Sequence, residues 1–396
     1  MAVRVERTYR VGTPSQRLCF VVTAESTAMT FLQGYLEYLK EDGWNVTLVC
    51  SPGRRVAEYS ERENIPFVPV KMRRGPSPIF DVLSLLRLIR VLRRVRPDVL
   101  VYATPKASLL AASAGALLGI PVRAYELWGL RAETVSGLRG RVLAALEWTT
   151  ARLSTTYIAN SHSLARRARE LGVAGGKKAR VLGKGSSHGV DAEHFSREAT
   201  SHQLLPSDDH VEGRASVPVV GFIGRLHPDK GIDTLFAALE EVALSGVPFQ
   251  VVLVGRHDGV DAGPLLSRLQ ERVPVHFVGQ VQDVRPALAS MDVLVLPSRR
   301  EGFPNVVLEA AAMEVPAIVS DATGCVDSVL DGKTGFVTPV GNVTRLAAAL
   351  DRLLTDDTLR REMGRTARQQ VLTDFVPRQV WAKHSIAWRN ALESRE

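Results

Sequence analysis

The chain has little that would staple it covalently or anchor it across a bilayer. Its 396 residues include three cysteines, Cys19, Cys50 and Cys325. An odd, widely separated set excludes a disulfide framework and fits reduced thiols in a cytoplasmic setting. No apolar run has the length and character of a membrane-spanning helix. The longest apolar region, ASLLAASAGALLGIPV at 107–122, is short and follows Lys106, and predicts a buried helix followed by a turn. A secretory signal is not expected, because LCFVV is brief, follows a long polar extension and runs into Glu25. Zinc-ligand spacing and a helix-turn-helix pattern are missing, and few aromatics interleave with the basic residues, so nucleic acid is not expected as a partner.

What is there is an alternation of apolar strands with helical patterns, run through twice. A chain this long exceeds one ordinary core and suits two domains of nearly equal size. In the first half the expected strands are RLCFVVT, NVTLVC, FVPV, VLVYAT, VRAYE and TYIAN; in the second they are VVGFIG, QVVLVG, VHFVG, DVLVLP and PAIVS. Strands separated by helices predict an α/β fold of two Rossmann-like, doubly wound domains. The expected boundaries are a loose tail at 1–16, a first domain at 17–195, a polar linker at 196–216, a second domain at 217–376, and a closing helix at 377–396. No internal repeat is visible beyond this shared rhythm.

Charge is unevenly placed. Residues 71–96 hold eight basic side chains (Lys71, Arg73, Arg74, Arg87, Arg90, Arg93, Arg94, Arg96) and one acid, Asp81, in a chain whose net charge is +8. Arg87, Arg90 and Arg94 fall on one helical face, with Leu85, Leu86, Ile89 and Leu92 available for packing or contact. Such a surface fits peripheral contact with anionic lipid head groups as well as it fits a solvated arginine-rich helix.

The most informative stretch is EGFPNVVLE at 301–309, which follows the apolar run VLVLPS. Pro304 suits the first turn of a helix, so Glu301 is expected in the loop and Glu309 inside the helix, both at the carboxyl edge of a sheet, where open α/β folds bind ligands. Free N–H groups at such a helix start can hold a diphosphate, and a carboxylate nearby can accept hydrogen bonds from neighbouring sugar hydroxyls. Upstream, VPVVGFIGRLHPDKGIDTL reads as strand, tight glycine turn and helix, placing Arg225 and Lys230 at the end of another strand, where two cations can neutralise a diphosphate.

In these motifs the chain resembles the retaining glycosyltransferases of family 4, the GT-B fold of two Rossmann-like domains with an interdomain active-site cleft. The resemblance runs through RLCFVVT, ATPKAS at 103–108, GSSHGVD at 185–191, GFIGRLHPDKG, VLVG, FVGQVQDV and EGFPNVVLEAAAMEVPAIVSD. It implies that Gly224, Arg225 and Lys230 bind the donor diphosphate and that Glu309 binds the donor ribose. Glu301 and Gly302 would lie against the transferred sugar and its phosphates, with Phe303 and the backbone of Asn305, Val306 and Val307 assisting. Val254 and Val281 fall where the family lines its base pocket. Glu301, Arg225 and Lys230 are the expected catalytic set, with no metal and no cofactor.

The chain also departs from the family pattern. His188 stands where members often carry an asparagine, and its protonation near neutral pH is expected to matter. TGCVDSV replaces the usual Gly-Gly-x-x-Glu, leaving Gly324 and Asp327 as stand-ins, and TAEST at 23–27 lacks the glycine pair many relatives place after the first strand. On the acceptor side the candidates are Lys106, Trp128, Arg131 and His188, with Glu126 and Glu133 in the same YELWGLRAE segment. The expected reaction moves a sugar from a nucleotide-diphosphate donor, a UDP-sugar first, to a polyprenyl-diphosphate-linked or other glycan acceptor, at the inner face of the membrane. A soluble enzyme acting on a secondary metabolite, a nucleotide-sugar 2-epimerase and a non-catalytic carbohydrate-binding protein are the alternatives. A dinucleotide dehydrogenase is excluded, because GKGSSHG at 183–189 has the wrong final spacing and leads into Val-Asp rather than a helix.

Overall fold

The computed structural model describes residues 16–73, 75, 77–200, 204–205, 217–259 and 261–395. The expected tail, apart from Gln16, and residues 201–203 and 206–216 of the expected linker lie outside the described residues.

The first series of elements is β1 (Arg17–Val21), α1 (Glu25–Phe31), α2 (Tyr35–Glu41), β2 (Asn45–Cys50), α3 (Arg54–Glu63), β3 (Phe67–Pro69), α4 (Pro78–Val95), β4 (Val99–Tyr102), α5 (Pro105–Leu117), β5 (Val122–Leu127), α6 (Gly137–Leu153), β6 (Thr156–Ala159) and α7 (His162–Glu170). The second is β7 (Val219–Ile223), α8 (Ile232–Leu244), β8 (Gln250–Val254), α9 (Gly263–Gln270), β9 (Val275–Gly279), α10 (Arg285–Ala289), β10 (Val293–Leu296), α11 (Asn305–Ala312), β11 (Ala317–Ser320), β12 (Gly335–Thr338), α12 (Val343–Thr355), α13 (Asp357–Asp374) and α14 (Pro377–Glu393). They build two six-stranded parallel sheets, ordered β3-β2-β1-β4-β5-β6 and β12-β11-β10-β7-β8-β9. The central strands are buried along nearly their whole length. Parallel strands covered by helices on both faces need continuous apolar runs rather than alternation, and VLVY, VVGFI and VLVL supply them. In each sheet the strand order reverses between the first and fourth strands, β1 and β4 in one, β7 and β10 in the other. The loops leaving those strands are where a doubly wound fold binds its ligand.

Contacts divide the chain into two compact units. One runs to Tyr125 and takes in Leu153–Thr156 and the chain from Ala387; the other comprises Glu126–Arg152 and Tyr157–Ile386. In the first, the end of α14 is packed into the core: the Trp388 ring stacks on Tyr35 at 6.3 Å and meets Phe20 and Trp44 edge-on. Arg389 lies 4.5 Å over the Trp44 ring and donates to the Asp42 carbonyl at 2.6 Å. The second unit's core gathers Phe222, Leu235, Phe236, Leu253, Leu294 and Leu350 around its sheet.

Two expectations change. The second sheet has a sixth strand, β12, whose GFVT is too short and too closely bracketed by turn residues to announce itself. Pro304 stands one residue earlier than expected, as the N-cap of α11 with an extended backbone. On α4, the residues expected to serve packing or contact divide between the two: Ile89 and Leu92 are buried with Leu88, while Leu86 is exposed together with Ile79, Phe80, Val82 and Leu83. The region 107–122 forms buried α5 and the turn after it. All three cysteines are free and buried, and burial pushes the Cys19 and Cys50 thiols up to about 12. Among the described residues no helix is long and apolar enough to cross a membrane.

Candidate active site

The site is built where β7 and β10 lie side by side. β7 ends at Ile223, and the Gly224 N–H bonds the Val254 carbonyl at 2.9 Å, so the chain turns tightly at the sheet edge and delivers Arg225 to it. Arg225 is half exposed and forms an ion pair with Asp258, whose carboxyl the guanidinium's hydrogen bond holds below its usual range. His227 accepts a 3.1 Å bond from the Asp229 N–H and opens a short 3-10 turn, Pro228–Lys230, that ends on Gly231 at φ +66. Only glycine serves there, because a Cβ would lie 2.1 Å from the Pro297 carbonyl oxygen. That close approach brings the β7 loop against the end of β10.

From β10 the chain runs through Ser298 to Glu301. Lys230 Nζ makes an ion pair with Glu301 Oε1, and Ser298 Oγ donates to the same oxygen at 2.9 Å. Neighbouring ion pairs tie the two loops together: Arg300 to Asp229 and Arg299 to Asp233, each at 2.6 Å. Arg299 N–H also donates to the Asp229 carbonyl at 2.8 Å. Lys230 and Glu301 side chains keep 19% and 16% exposure, enough for a ligand to reach them.

Behind Glu301 the backbone is clamped. Its N–H donates to the Thr323 carbonyl at 2.8 Å. Gly302 accepts from Ser161 Oγ at 2.8 Å, and a Cβ on Gly302 would lie 1.8 Å from the Trp128 carbonyl oxygen. Gly324, at φ +78, donates its N–H to Ser163 Oγ at 2.8 Å, and Ser163 hydrogen-bonds Asp327. Thr323 Oγ1 donates to Glu133 at 2.6 Å, and Arg167 braces the same carboxylate at 3.1 Å. Gly324 and Asp327, the stand-ins for the family's glycine pair and glutamate, therefore hold the loop that presents Glu301. Ser161, Ser163, Ser298 and Thr323 had no sequence signal, since their partners are mostly far away along the chain.

α11 begins at Asn305 with no side chain capping it; the Val307 N–H turns back to the Pro304 carbonyl at 3.2 Å, and the other N–H groups of a first turn have no partner within the helix. Glu309, one turn on, is half-buried with no hydrogen-bond or ion partner among the described residues, and burial pushes its carboxyl up to about 7. An unpartnered carboxylate held in a poorly solvated place is at a disadvantage that hydroxyl donors would remove.

The other expected residues fall out as follows. Val254 is buried at the end of β8 and Val281 is half-buried after β9. The Phe303 ring is committed to packing, 5.5 Å from Phe375, so only its backbone is available to a ligand. Trp128 Nε1 donates to the buried Glu126 at 3.2 Å, and burial raises that carboxyl. Arg131 is exposed in the short helix Arg131–Glu133. Lys106 belongs to the first unit, where it is ion-paired with Asp81 at 2.6 Å and is not a free cation. Beside it Thr104 is held at φ +70, hydrogen-bonded to Thr23 Oγ1 at 2.7 Å, a strained position at the first sheet's own reversal point. His188 is a correction: half-buried and 3.0 Å from Ser187 Oγ, it is pushed by burial down to about 4, so it does not titrate near neutral pH.

These two reversal-point loops, a lysine paired to one glutamate and a second glutamate left unpaired inside the next helix, agree with what the chain is similar to. The family described as a glycosyl transferase 4-like domain matches residues 27–184, and glycosyl transferases group 1 match residues 217–356. The capsular polysaccharide biosynthesis glycosyltransferase CapM of Staphylococcus aureus is 30% identical over 96% of this chain and 99% of its own. The chain belongs to this glycosyltransferase family. A GDP-mannose-dependent alpha-mannosyltransferase of Mycolicibacterium smegmatis is 33% identical over 86% of this chain and 88% of its own. An N,N'-diacetylbacillosaminyl-diphospho-undecaprenol alpha-1,3-N-acetylgalactosaminyltransferase of Campylobacter jejuni is 26% identical over 80% of each. Among solved structures, Anabaena HepE in complex with UDP-glucose superposes with a TM-score of 0.73 at 20% identity, covering 94% of this glycosyltransferase and 99% of that chain. That likeness shows the GT-B fold.

Proposed function

We propose that this glycosyltransferase moves a sugar, with retention at its anomeric carbon, from a nucleotide-diphosphate donor to a polyprenyl-diphosphate-linked or other glycan acceptor in cell-surface polysaccharide or glycan assembly. The observation that carries the donor site is the pairing of Lys230 with Glu301 beside an unpaired Glu309. A donor diphosphate entering at the start of α11 takes Lys230 and Arg225 away from their carboxylate partners, Glu301 and Asp258, and both cations then stabilise the charge on the leaving group. Glu301, held by Ser298, is left facing the sugar, and Glu309 accepts from the ribose hydroxyls. The bond from the anomeric carbon to the diphosphate breaks, the acceptor oxygen takes that carbon from the same face, and the acceptor's proton leaves on the departing phosphate. Glu301 then acts by charge and position rather than as a covalent nucleophile.

No metal is required in this scheme, because two cationic side chains flank the diphosphate. UDP is the first nucleotide to try and GDP the second, since similar proteins are named for GDP-mannose as well. The lipid-linked acceptor rests on the relative named for a diphospho-undecaprenol substrate and on α4, whose first half exposes Ile79, Phe80, Leu83 and Leu86 and whose second half exposes Arg87, Arg90, Arg93 and Arg94. Arg73 adds its guanidinium 3.4 Å from the centre of the Phe80 ring. An exposed apolar stretch continued by arginines fits an anionic membrane surface at the cytoplasmic side. On the acceptor side Lys106, Trp128, Arg131 and His188 are the residues to vary.

The test is nucleotide release from UDP-, GDP-, ADP- and dTDP-sugars with EDTA present, each with and without a bacterial lipid extract. Release that needs one donor and the lipid supports the whole reading. Release without lipid moves the acceptor to a soluble molecule, and conversion of the donor sugar with no acceptor present makes the protein an epimerase.

A further inference from the structure

Away from the donor loops, the chain concentrates positive charge a second time. Residues 162–184 contain seven lysines and arginines and one acid, Glu170. Ser161 caps α7, whose Leu164, Ala165 and Ala168 are buried, so Arg166 and Arg169 emerge together on its exposed side. Next to it Arg180 pairs with the edge of β6: its N–H donates to the Tyr157 carbonyl at 2.9 Å and its carbonyl accepts from Ala159 at 2.8 Å. Strand alternation then buries Ala179 and turns Lys178 and Arg180 outward. The result is two open cavities of about 600 and 560 Å³ that adjoin at Arg169 and Lys178, together a cation-lined trough along the surface. Each is within the roughly 300–1,000 Å³ of ligand clefts. Arg225, Lys230, Glu301 and Glu309 line neither.

The charge in this trough is uncompensated. Among the described residues, Arg166, Arg169, Lys178 and Arg180 have no ion-pair partner, and the acids that reach α7 are engaged elsewhere: Glu170 with Arg167 at 3.3 Å, Glu133 with Arg167 at 3.1 Å and Asp327 with Ser163. Four cations around a concave surface repel one another and focus a positive potential that an anion would relieve. We propose that the trough binds a linear anionic glycan, its carboxylates or phosphates meeting Arg166, Arg169, Lys178 and Arg180 in succession. The lining decides against other polyanions. Its one ring is His162 at the start of α7, with no Phe, Tyr or Trp to make a run of stacking platforms for successive bases, and it has no large exposed apolar side chain such as α4 offers to a lipid surface. The floor is small, Ala165 and Ala179, leaving room for sugar rings. The inference uses the family membership, since a glycosyltransferase meets glycan chains, but not the donor assignment.

The experiment is calorimetric titration of the full chain with an oligogalacturonate of about eight residues, an uncharged dextran oligosaccharide of equal length, a single-stranded DNA of equal length, and phosphatidylglycerol vesicles. The charged oligosaccharide is expected to bind and the dextran not to. Binding should weaken at least about tenfold between roughly 50 and 200 mM salt, and at least about tenfold in the double variant Arg166→Ala with Lys178→Ala. Arg166→Lys, which keeps the charge, should bind within about threefold of the wild type. Equal binding of the charged oligosaccharide by the double variant, no binding of it by the wild type, or binding of DNA or vesicles at least as tight as the glycan's and lost in the double variant would each overturn the proposal. Binding of the nucleoside diphosphates UDP and GDP, measured on the same samples, should be unchanged in the double variant. Failure of the wild type to bind either would count against the donor reading and leave the glycan result standing.

Discussion

Ser298 Oγ and Lys230 Nζ converge on one carboxylate oxygen, Glu301 Oε1, from the ends of two adjacent strands. The serine hydroxyl is itself placed by backbone contact, since its carbonyl accepts from Ser320 Oγ on β11. Lys230→Ala is therefore expected to lower kcat for nucleotide release by about 100-fold or more, the scale of losing one electrostatic stabiliser of the leaving group. Ser298→Ala leaves the ion pair intact and should cost about three- to tenfold, one hydrogen bond's worth of orientation. Steady-state kinetics of both variants check this. Equal losses would mean that Ser298, and not the lysine, governs where Glu301 points.

Glu309 carries an opposite demand on stability and binding. Burial pushes its carboxyl up to about 7 in the folded chain from an ordinary value of 4.5, so the folded state disfavours the charge. Below about 4.5 both states hold the proton and there is no penalty; between 4.5 and 7 the penalty grows, and above 7 it is fully present. Glu309→Gln should raise the melting temperature at pH 8, by about 1–3 kcal/mol of stability, and leave it unchanged at pH 4. The same variant should lose donor affinity. In the wild type affinity should improve as pH rises from 6 to 8, because hydroxyl donors favour the ionised carboxyl; in the variant it should be flat. A variant as tight as the wild type at pH 8 would remove Glu309 from the donor site.

His188 gives the reverse signature. Burial lowers it to about 4 from 6.5, so above 6.5 it is neutral in both states, and as pH falls from 6.5 to 4 the unfolded chain takes a proton that the folded chain refuses. His188→Asn should therefore gain stability at pH 4.5 and show none of that gain at pH 7.5, as read by thermal melts. The pH–rate profile between 6 and 8 should be the same in both proteins.

Gly302 tests the clamp. With the Trp128 carbonyl oxygen 1.8 Å from where a Cβ would be, and backbone rather than a flexible side chain as the obstacle, Gly302→Ala must move one loop or the other. We expect about 2–4 kcal/mol of destabilisation and a loss of kcat larger than any change in KM, since Glu301 is displaced with its neighbour. Ser161→Ala, which removes only the 2.8 Å bond to the Gly302 carbonyl, should cost about 1 kcal/mol. Chemical denaturation and kinetics on the two variants separate strain from a missing bond.

Which of these parts could be read beforehand follows from how local each one is. VVGFI and VLVL announce buried parallel strands within their own few residues, and Glu301, Pro304 and Glu309 mark a loop and a helix by spacing alone. The clamp could not be read that way: Ser161 meets Gly302 across 141 positions and Thr323 meets Glu133 across 190. Arg225 and Lys106 were legible as cations, but their pairing with Asp258 and Asp81 was not. β12 was lost because four residues beginning with glycine carry too little pattern. The helical period of α4 was legible, but which of its apolar residues pack and which stay exposed was not, because they occur on both faces and only packing decides which face inward.

That apolar excess on α4 makes its own prediction. Ile79 is 77% exposed and Phe80 and Leu83 are 43% and 44%, so charging Phe80 and Leu83 opens no buried cavity and, beyond the loss of the Arg73–Phe80 contact, should lower the melting temperature only slightly. On a membrane each such side chain would contribute about 1.5–3 kcal/mol if fully buried, and each arginine close to an anionic surface about 1 kcal/mol. Phe80→Asp with Leu83→Asp should reduce co-sedimentation with phosphatidylglycerol vesicles at least about tenfold. Arg87→Gln with Arg90→Gln should act mainly at low salt, because a surface charge is screened beyond about 10 Å at 0.1 M. Donor-only nucleotide release should be untouched in both variants, since neither pair belongs to the donor loops, while release stimulated by the lipid extract should fall in step with vesicle binding. Unchanged vesicle binding by the aspartate variant would take α4 out of any membrane role and leave its arginines as solvated charge.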